Sequence, residues 1–252
     1  MIIRSLAQVT AQMNVLQKKQ ENSAANVANV NTPGYKFQVL LQETQKEYEV
    51  HNHTGGRDNN AYQVLGSLSL GTQLGEAYTN FTPGTLTQTG LATDFAIQGK
   101  GFFPVALEDN TLGFTRSGSF RTDAEGYLVT PEGYRVLGVD PQGNWQSIST
   151  GGNPLVLTAE GQILGTALRL AAVDVADYTQ LTLEGGSLFA GETAVIPGEG
   201  EILQGYLEGS NVNLLDEMVK MMEVSREFQA NQRTLKVLND TLSKTVNEIG
   251  RN

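Results

Sequence analysis

Apolar residues recur every three or four positions at both ends of the chain, and a different pattern lies between. The N-terminal stripe is Ile2, Leu6, Val9, Met13, Leu16, Val27 and Val30, with polar Gln20 and Ser23 interrupting it. The C-terminal stripe is Leu214, Met218, Met221, Ser225, Phe228, Gln232, Leu235, Asn239, Leu242, Val246 and Ile249. Alternating steps of four and three keep one seam of a helix turned toward a partner. A helix with an apolar seam has to bury it against something. Two such helices at opposite ends of one chain predict termini that join to each other and to neighbouring copies, with a separate domain between them. That is the plan of an assembly subunit, not of an enzyme. The polar residues Ser225, Gln232 and Asn239 repeat every seventh position, as residues do that fix register and partner number at a cost in stability.

The first helix is expected from about Ile3 to about Val30. Asn31-Thr32-Pro33-Gly34 ends it, because proline cannot continue a helix and Pro-Gly suits the centre of a type II turn. Residues 36–50 are compatible with strand or helix, and the polar run 51–60 reads as a loop. From about Val64 short apolar runs alternate with tight turns, as in Asp123-Ala-Glu-Gly126, Pro131-Glu-Gly133, Pro141-Gln-Gly143 and Ala159-Glu-Gly161. Turns this close together predict antiparallel hairpins and not βαβ units. The β region is expected to end near Tyr206-Leu207-Glu208. A last helix then starts after Asn213, a capping residue, and runs unbroken to about Ile249. The expected fold class is α+β: terminal helices pairing in a coiled-coil-like module around a central antiparallel, mainly-β domain. Its divisions are 1–36 (first helix), 37–74 (extended or loop connector), 75–206 (β domain) and 207–252 (last helix).

Charge sharpens this division. Residues 1–50 hold five Lys/Arg against four Asp/Glu, and residues 211–252 hold six of each. The middle, 51–210, holds six basic and seventeen acidic residues, so the whole acid surplus belongs there. Near-neutral ends pack side by side without Coulomb cost, whereas an acidic middle resists close approach. Nucleic acid is not an expected partner, since phosphate binding needs clustered Lys/Arg. No run of apolar residues is long enough for a membrane span, so no membrane insertion is expected. No secretory signal peptide is expected either, because Arg4, Ser5, Gln8 and Gln12 interrupt the first residues. The absence of cysteine excludes disulfides and thiolate metal sites.

Candidate chemistry is sparse. His51-x-His53, flanked by Glu47 and Glu49, would share one face of a strand as a metal site does, but the stretch is loop-like and no second ligand cluster accompanies it. With two histidines, no cysteine and no GxSxG elbow, the usual nucleophilic triads are not available. Gly99-Lys-Gly101 precedes Phe102-Phe103 and not a helix, so its glycines serve a strand bend and not a phosphate loop. The adjacent carboxylates Glu108 and Asp109 lie beside a turn, where acidic residues are simply solvated. No catalytic residue, cofactor or metal is expected.

Four blocks of the sequence resemble bacterial flagellar rod and hook axial proteins. The first is Ala28-Asn-Val-Asn-Thr-Pro-Gly-Tyr-Lys36, carrying Asn29, Asn31, Thr32, Pro33, Gly34 and Tyr35. The second is Thr93-Asp-Phe-Ala-Ile-Gln-Gly-Lys-Gly-Phe-Phe103, carrying Gly99, Gly101, Phe102 and Phe103. The third is Phe114-Thr-Arg-Ser-Gly-Ser-Phe-Arg-Thr-Asp-Ala-Glu-Gly-Tyr-Leu-Val129. The fourth is Gly205-Tyr-Leu-Glu-Gly-Ser-Asn-Val-Asn213, carrying Ser210, Asn211 and Asn213. Their order spans nearly the whole chain. The length resembles a rod subunit of the distal- or proximal-rod type, a hook subunit normally carrying an additional β domain. The resemblance implies a non-enzymatic structural subunit of the basal-body rod. Its terminal helices would form an inner tube around a central channel and its β domain an outer layer, transmitting torque and enclosing the export path. Implied partners are copies of itself, other rod and hook axial proteins and the flagellar type III export apparatus. The implied location is the basal body in the cell envelope, reached without a cleaved signal peptide. The alternatives are a short hook-type subunit and, in another class, a secreted acidic cell-wall-acting enzyme with oligomerisation arms.

Overall fold

The computed structural model describes residues 2–54, 61–69, 71–107, 111–151, 155–158, 161–164, 166–170 and 172–249. Two helices, α1 (Ile2–Ala28) and α2 (Leu214–Ile249), bracket a body of antiparallel strands, an α+β arrangement. Neither helix contains glycine or proline, the two residues that most disfavour a helix interior. α1 ends two residues earlier than the sequence pattern suggests. The Asn29 carbonyl accepts the Thr32 N–H at 3.1 Å and its side-chain oxygen accepts the Thr32 hydroxyl at 3.0 Å, so a tight turn replaces the last helical residues. α2 has Asp216 and Glu217 in its first turn, where carboxylates are favoured by the positive end of the helix dipole. No described helix is long and apolar enough to cross a membrane.

The chain folds into two compact units that interleave in sequence. One comprises residues 1–27, 38–78 and 214–252, the other residues 28–37 and 79–213. The first therefore takes both helices and most of the stretch expected to be a connector. That stretch is mostly strand in its described residues: β1 (Gln38–Thr44), β2 (Glu47–Thr54), β3 (Ala61–Ser69) and β4 (Thr72–Thr79). β1 pairs with β4, and β2 with β3 in a two-stranded ribbon. His51 to Thr54, expected in a loop, stand in β2 opposite Val64 to Ala61. Their polar content argued for a loop, but ladder pairing satisfies their backbone and Tyr48, Val50 and Thr54 suit a strand. A bulge between Val50 and His51 leaves Leu65 as the extra residue on β3. The remainder of the expected loop, 55–60, lies outside the described residues.

α1 holds the β1–β4 pair through its polar face. Asn26 is fully buried, and its side-chain amide both donates to Gln38 O at 2.8 Å and accepts Gln38 N–H at 3.1 Å. Lys19 donates to Gln42 and Thr72 donates to Gln12, each at 2.6 Å. The bonds of Asn26 satisfy an amide that would otherwise be buried at a cost of roughly 1–3 kcal/mol.

The second unit is built around one larger antiparallel sheet. Its strand order is Thr182–Gly185, Leu188–Ala190, Leu112–Thr115, Phe103–Ala106, Arg135–Val139, Leu128–Val129 and Arg121–Thr122, with Trp145–Ser147 also pairing on Arg135–Val139. Smaller pairs flank it: Phe95–Gln98 with Glu201–Gln204, Leu86–Gln88 with Tyr206–Glu208, and Val173–Val175 with Val195–Pro197. Three of the expected hairpin turns are present, as at Asp123–Gly126, where Gly126 donates to Asp123 O at 3.1 Å, while Ala159 and Glu160 of the fourth lie outside the described residues. Phe102 and Phe103 feed two different cores, since successive residues of an extended chain point to opposite sides. Phe103 packs with Phe95, Ile97, Val105, Phe120 and Leu128. Phe102 packs with Phe114, Val173, Val175, Leu181 and Phe189. Burying each such ring stabilises by about 1.5–3 kcal/mol.

Candidate functional site

The four sequence blocks converge on one buried junction inside the second unit. The first block enters through the Pro33-Gly34 turn, closed by Tyr35 N–H to Thr32 O at 3.3 Å. Gly34 sits at φ +70°, and a Cβ there would lie 2.2 Å from Ser117 N and 2.4 Å from the Arg116 carbonyl carbon. Only glycine meets both demands, the left-handed backbone and the close approach of another chain segment. The Gly34 N–H donates to Glu208 O at 2.8 Å, joining the first block to the fourth.

Glu208 is the centre of the junction and is about 1% exposed. Its Oε1 accepts from Lys36 Nζ at 2.6 Å and from Gly84 N–H at 2.8 Å. Its Oε2 accepts from Arg116 Nε. Arg116 also donates through Nη1 to Gly101 O, and through Nη2 to Gly99 O and, at 3.0 Å, to Ile97 O. The bend at Gly99-Lys-Gly101 thus wraps its carbonyls around a guanidinium, a concrete form of the strand bend expected there. Lys36 makes a further bond to Thr82 O at 2.9 Å. Burial pulls the Lys36 ammonium below the usual lysine range, an effect partly offset by the Glu208 charge. Asn211 completes the clasp: its Oδ1 accepts Phe37 N–H at 2.7 Å, and its Nδ2 donates to Asn80 O at 2.8 Å and Thr82 O at 3.0 Å.

Charged groups at this depth are tolerated only when paired and hydrogen-bonded. The arrangement ties the end of the first helical block to the last β segment. The remaining signature residues surround it: Tyr35, Gly101, Phe102 and Phe103 are buried, Thr32, Pro33 and Ser210 half-buried, and Asn31 and Gly99 exposed. Asn213 stands immediately before α2, in the N-cap place. Lys36, Arg116 and Glu208 each lie in one of the four sequence blocks, but nothing in the sequence marks them as partners of one another. Lys36 and Glu208 are the single charged residues of their blocks, whereas Arg116 shares its block with Arg121, Asp123 and Glu125.

Within the first unit, the helical stripes take up partly different positions from those the spacing suggests. On α1 Leu16 is buried, Leu6, Val9 and Met13 are half-buried, and the interrupting Ser23 is buried. Val27 is also half-buried, as is Val30 beyond the helix end, in the second unit. On α2 the covered residues are Glu217, Met221, Val224, Phe228, Asn231, Leu235, Leu238 and Leu242. This stripe shares Met221, Phe228, Leu235 and Leu242 with the expected seam. It replaces Ser225, Gln232 and Asn239, all exposed, by Val224, Asn231 and Leu238. Leu214, Met218 and Val246 are exposed, and the Ile249 side chain lies outside the described residues. Near their middle the helices flank a cleft of about 370 Å³ lined by Leu16, Gln17, Gln20 and Glu21 with Val224, Ser225 and Phe228. Gln20 Oε1 is buried there without a hydrogen-bond partner among the described residues. On β2, Glu49 and His51 approach to 3.9 Å, and among the described residues no group of three His, Cys, Asp or Glu could hold a metal ion.

Comparison with known proteins agrees with these landmarks. Residues 7–36 match the family model "Flagella basal body rod protein", residues 96–182 "Flagellar hook protein FlgE/F/G D1 domain", and residues 203–248 "Flagellar basal body rod FlgEFG protein C-terminal". The chain is 30% identical to the flagellar basal-body rod protein FlgG of Borreliella burgdorferi, over 96% of this chain and 97% of that one. It is 32% identical to the FlgG of Agrobacterium fabrum over the same shares, and 29% identical to the FlgF of Caulobacter vibrioides over 85% of each chain. At this identity over nearly its full length, the chain belongs to the flagellar basal-body rod protein family.

Proposed function

We propose that this protein is a structural, non-catalytic subunit of the flagellar basal-body rod. It polymerises through α1 and α2 into a helical tube that transmits torque and encloses the export channel. One observation carries the reading. At the start of α2 the apolar residues Leu215, Met218, Val219 and Met222 are 73%, 51%, 48% and 55% exposed, on a helix whose other stripe is already half covered. A patch of this kind on a long helix marks an interaction surface. The polar residues Ser225, Gln232 and Asn239, also exposed, would then set register against neighbouring copies. The coiled-coil-like pairing of the termini belongs to this assembled state, in which the cleft between α1 and α2 is filled. The partners are further copies, the other rod and hook axial proteins, and the type III export apparatus that would deliver the chain to the basal body without a cleaved signal peptide. A strain lacking the protein tests this. It should assemble no hook on a complete rod, and a complete hook-basal body in that strain would overturn the proposal.

A further inference from the structure

Beside the Glu208 junction lies a cavity of about 20 Å³ lined by Lys36, Lys100 and Arg116 and by the rings of Phe81, Phe102 and Tyr178. Its lining contains three cationic side chains and no carboxylate. The side chains of Lys36 and Arg116 are 1% and 4% exposed, so two of those charges are withdrawn from water. Glu208, the carboxylate bonded to both, lies outside the lining and offsets only one of the two charges.

The donors are also incompletely used. An ammonium has three N–H groups and a guanidinium five. Lys36 gives one to Glu208 and one to Thr82 O. Arg116 gives Nε–H to Glu208, both Nη2 hydrogens to Ile97 O and Gly99 O, and one Nη1 hydrogen to Gly101 O. One ammonium N–H and one Nη1 N–H remain without a partner among the described residues. The Tyr178 hydroxyl donates to Asp174 Oδ1, and Asp174 is not part of the lining.

We propose that this cavity binds one small monatomic anion of the halide class, held by the remaining Lys36 and Arg116 donors. Size selects it. A cavity needs roughly 10–15 Å³ to hold a single water-sized body, and this one takes little more, so a carboxylate or sulfate does not fit. The walls select further. Phe81 packs on Phe102 and Tyr178 with ring centroids 5.6 and 5.0 Å apart. Such a rigid, weakly polar wall cannot replace the hydration of fluoride but suits chloride and bromide, whose hydration is weaker. Exposed Lys100 stands at the rim and adds attraction within a unit that is otherwise strongly acidic.

Chlorine-35 NMR line broadening on the full chain, in sodium gluconate at fixed ionic strength, tests the proposal. Broadening should saturate with chloride and be competed by bromide but not by fluoride. Lys100→Glu should weaken it roughly tenfold, the order expected of a nearby charge reversal, with an unchanged circular dichroism spectrum. Lys46→Glu, at an exposed lysine of the first unit, should leave it unchanged. Crystals soaked in sodium bromide should show an anomalous peak in the cavity, in contact with Lys36 Nζ. Broadening that Lys100→Glu leaves intact, or bromide-soaked crystals without a peak in the cavity, would overturn the assignment.

Discussion

The two units satisfy their chemistry in opposite ways. The second, residues 28–37 and 79–213, closes on itself: two aromatic cores, a continuous antiparallel sheet, and a buried ion cluster whose carboxylate accepts three separate donors. The first, built on α1, α2 and β1–β4, leaves apolar residues uncovered at several places. Leu215 and Met222 on α2, and Tyr48 and Leu65 on the β2–β3 ribbon, are all exposed. Isolated two-stranded ribbons are marginal in water, and a helix gains most of its stability from packing an apolar face. Charge divides along the same line. The second unit holds six Lys/Arg against fifteen Asp/Glu, whereas the first holds eleven against twelve. A self-sufficient acidic unit and a near-neutral unfinished one are what a chain needs if it is to stay separate until its ends meet other copies.

Breaking the self-sufficient half should have the largest effect on folding. Glu208→Ala would leave Lys36 and Arg116 buried without their carboxylate. Removing one partner of a buried ion pair costs about 3–5 kcal/mol, so denaturant unfolding of the second unit should shift by that order. Breaking the unfinished half should instead abolish assembly and spare stability. Val224→Asp, Phe228→Asp or Leu235→Asp would put a charge into a dry helix contact at a cost of several kcal/mol. Sedimentation should show the polymer lost while the second unit melts as before. Aspartate in place of exposed Lys236 should be tolerated. Comparing Val224→Asp with Ser225→Asp tells which of two adjacent stripes meets the partner.

At Gly34 the expected effect on the second unit is comparable. Gly34→Ala adds the left-handed backbone cost of about 1–2 kcal/mol to a clash with the Arg116 and Ser117 backbone, and denaturant midpoints would record it. The charge contrast predicts a gentler response. The Debye length falls from about 30 Å at 0.01 M to about 8 Å at 0.15 M. Repulsion between acidic units of neighbouring copies should therefore fade, and light scattering should show association strengthening as sodium gluconate is raised. The smallest effect lies at alkaline pH. Burial, then the hydrogen bond to Asp174, raises the Tyr178 phenol well above its ordinary value. The unfolded chain releases that proton first, so this contribution is complete below about pH 10 and is lost above it. Tyr178→Phe should show a shallower alkaline loss of stability than the parent.

Both helices, the hairpin-rich middle and its limit near Glu208 were legible in the sequence, because periodicity and turn glycines are local signals. Pairings across the chain were not. Lys36 meets Glu208 across 172 residues, and nothing in either neighbourhood names the other. The same limit hid the assignment of β1–β4 to the helical unit, since Asn26 and Gln38 bond through tertiary packing and not through pattern. On α2 the spacing of Met221, Phe228, Leu235 and Leu242 was readable. The choice between Val224 and Ser225 as the alternate seam position depends on a rotation of less than a third of a turn, which periodicity alone does not resolve.

Hydrogen exchange on dilute monomer and on assembled rods tests the contrast between the units most directly. The account predicts strong protection across residues 79–205 in both states, and protection across 214–249 only in the assembled rod. Strong protection of 214–249 in the dilute monomer, with no oligomer present, would contradict it.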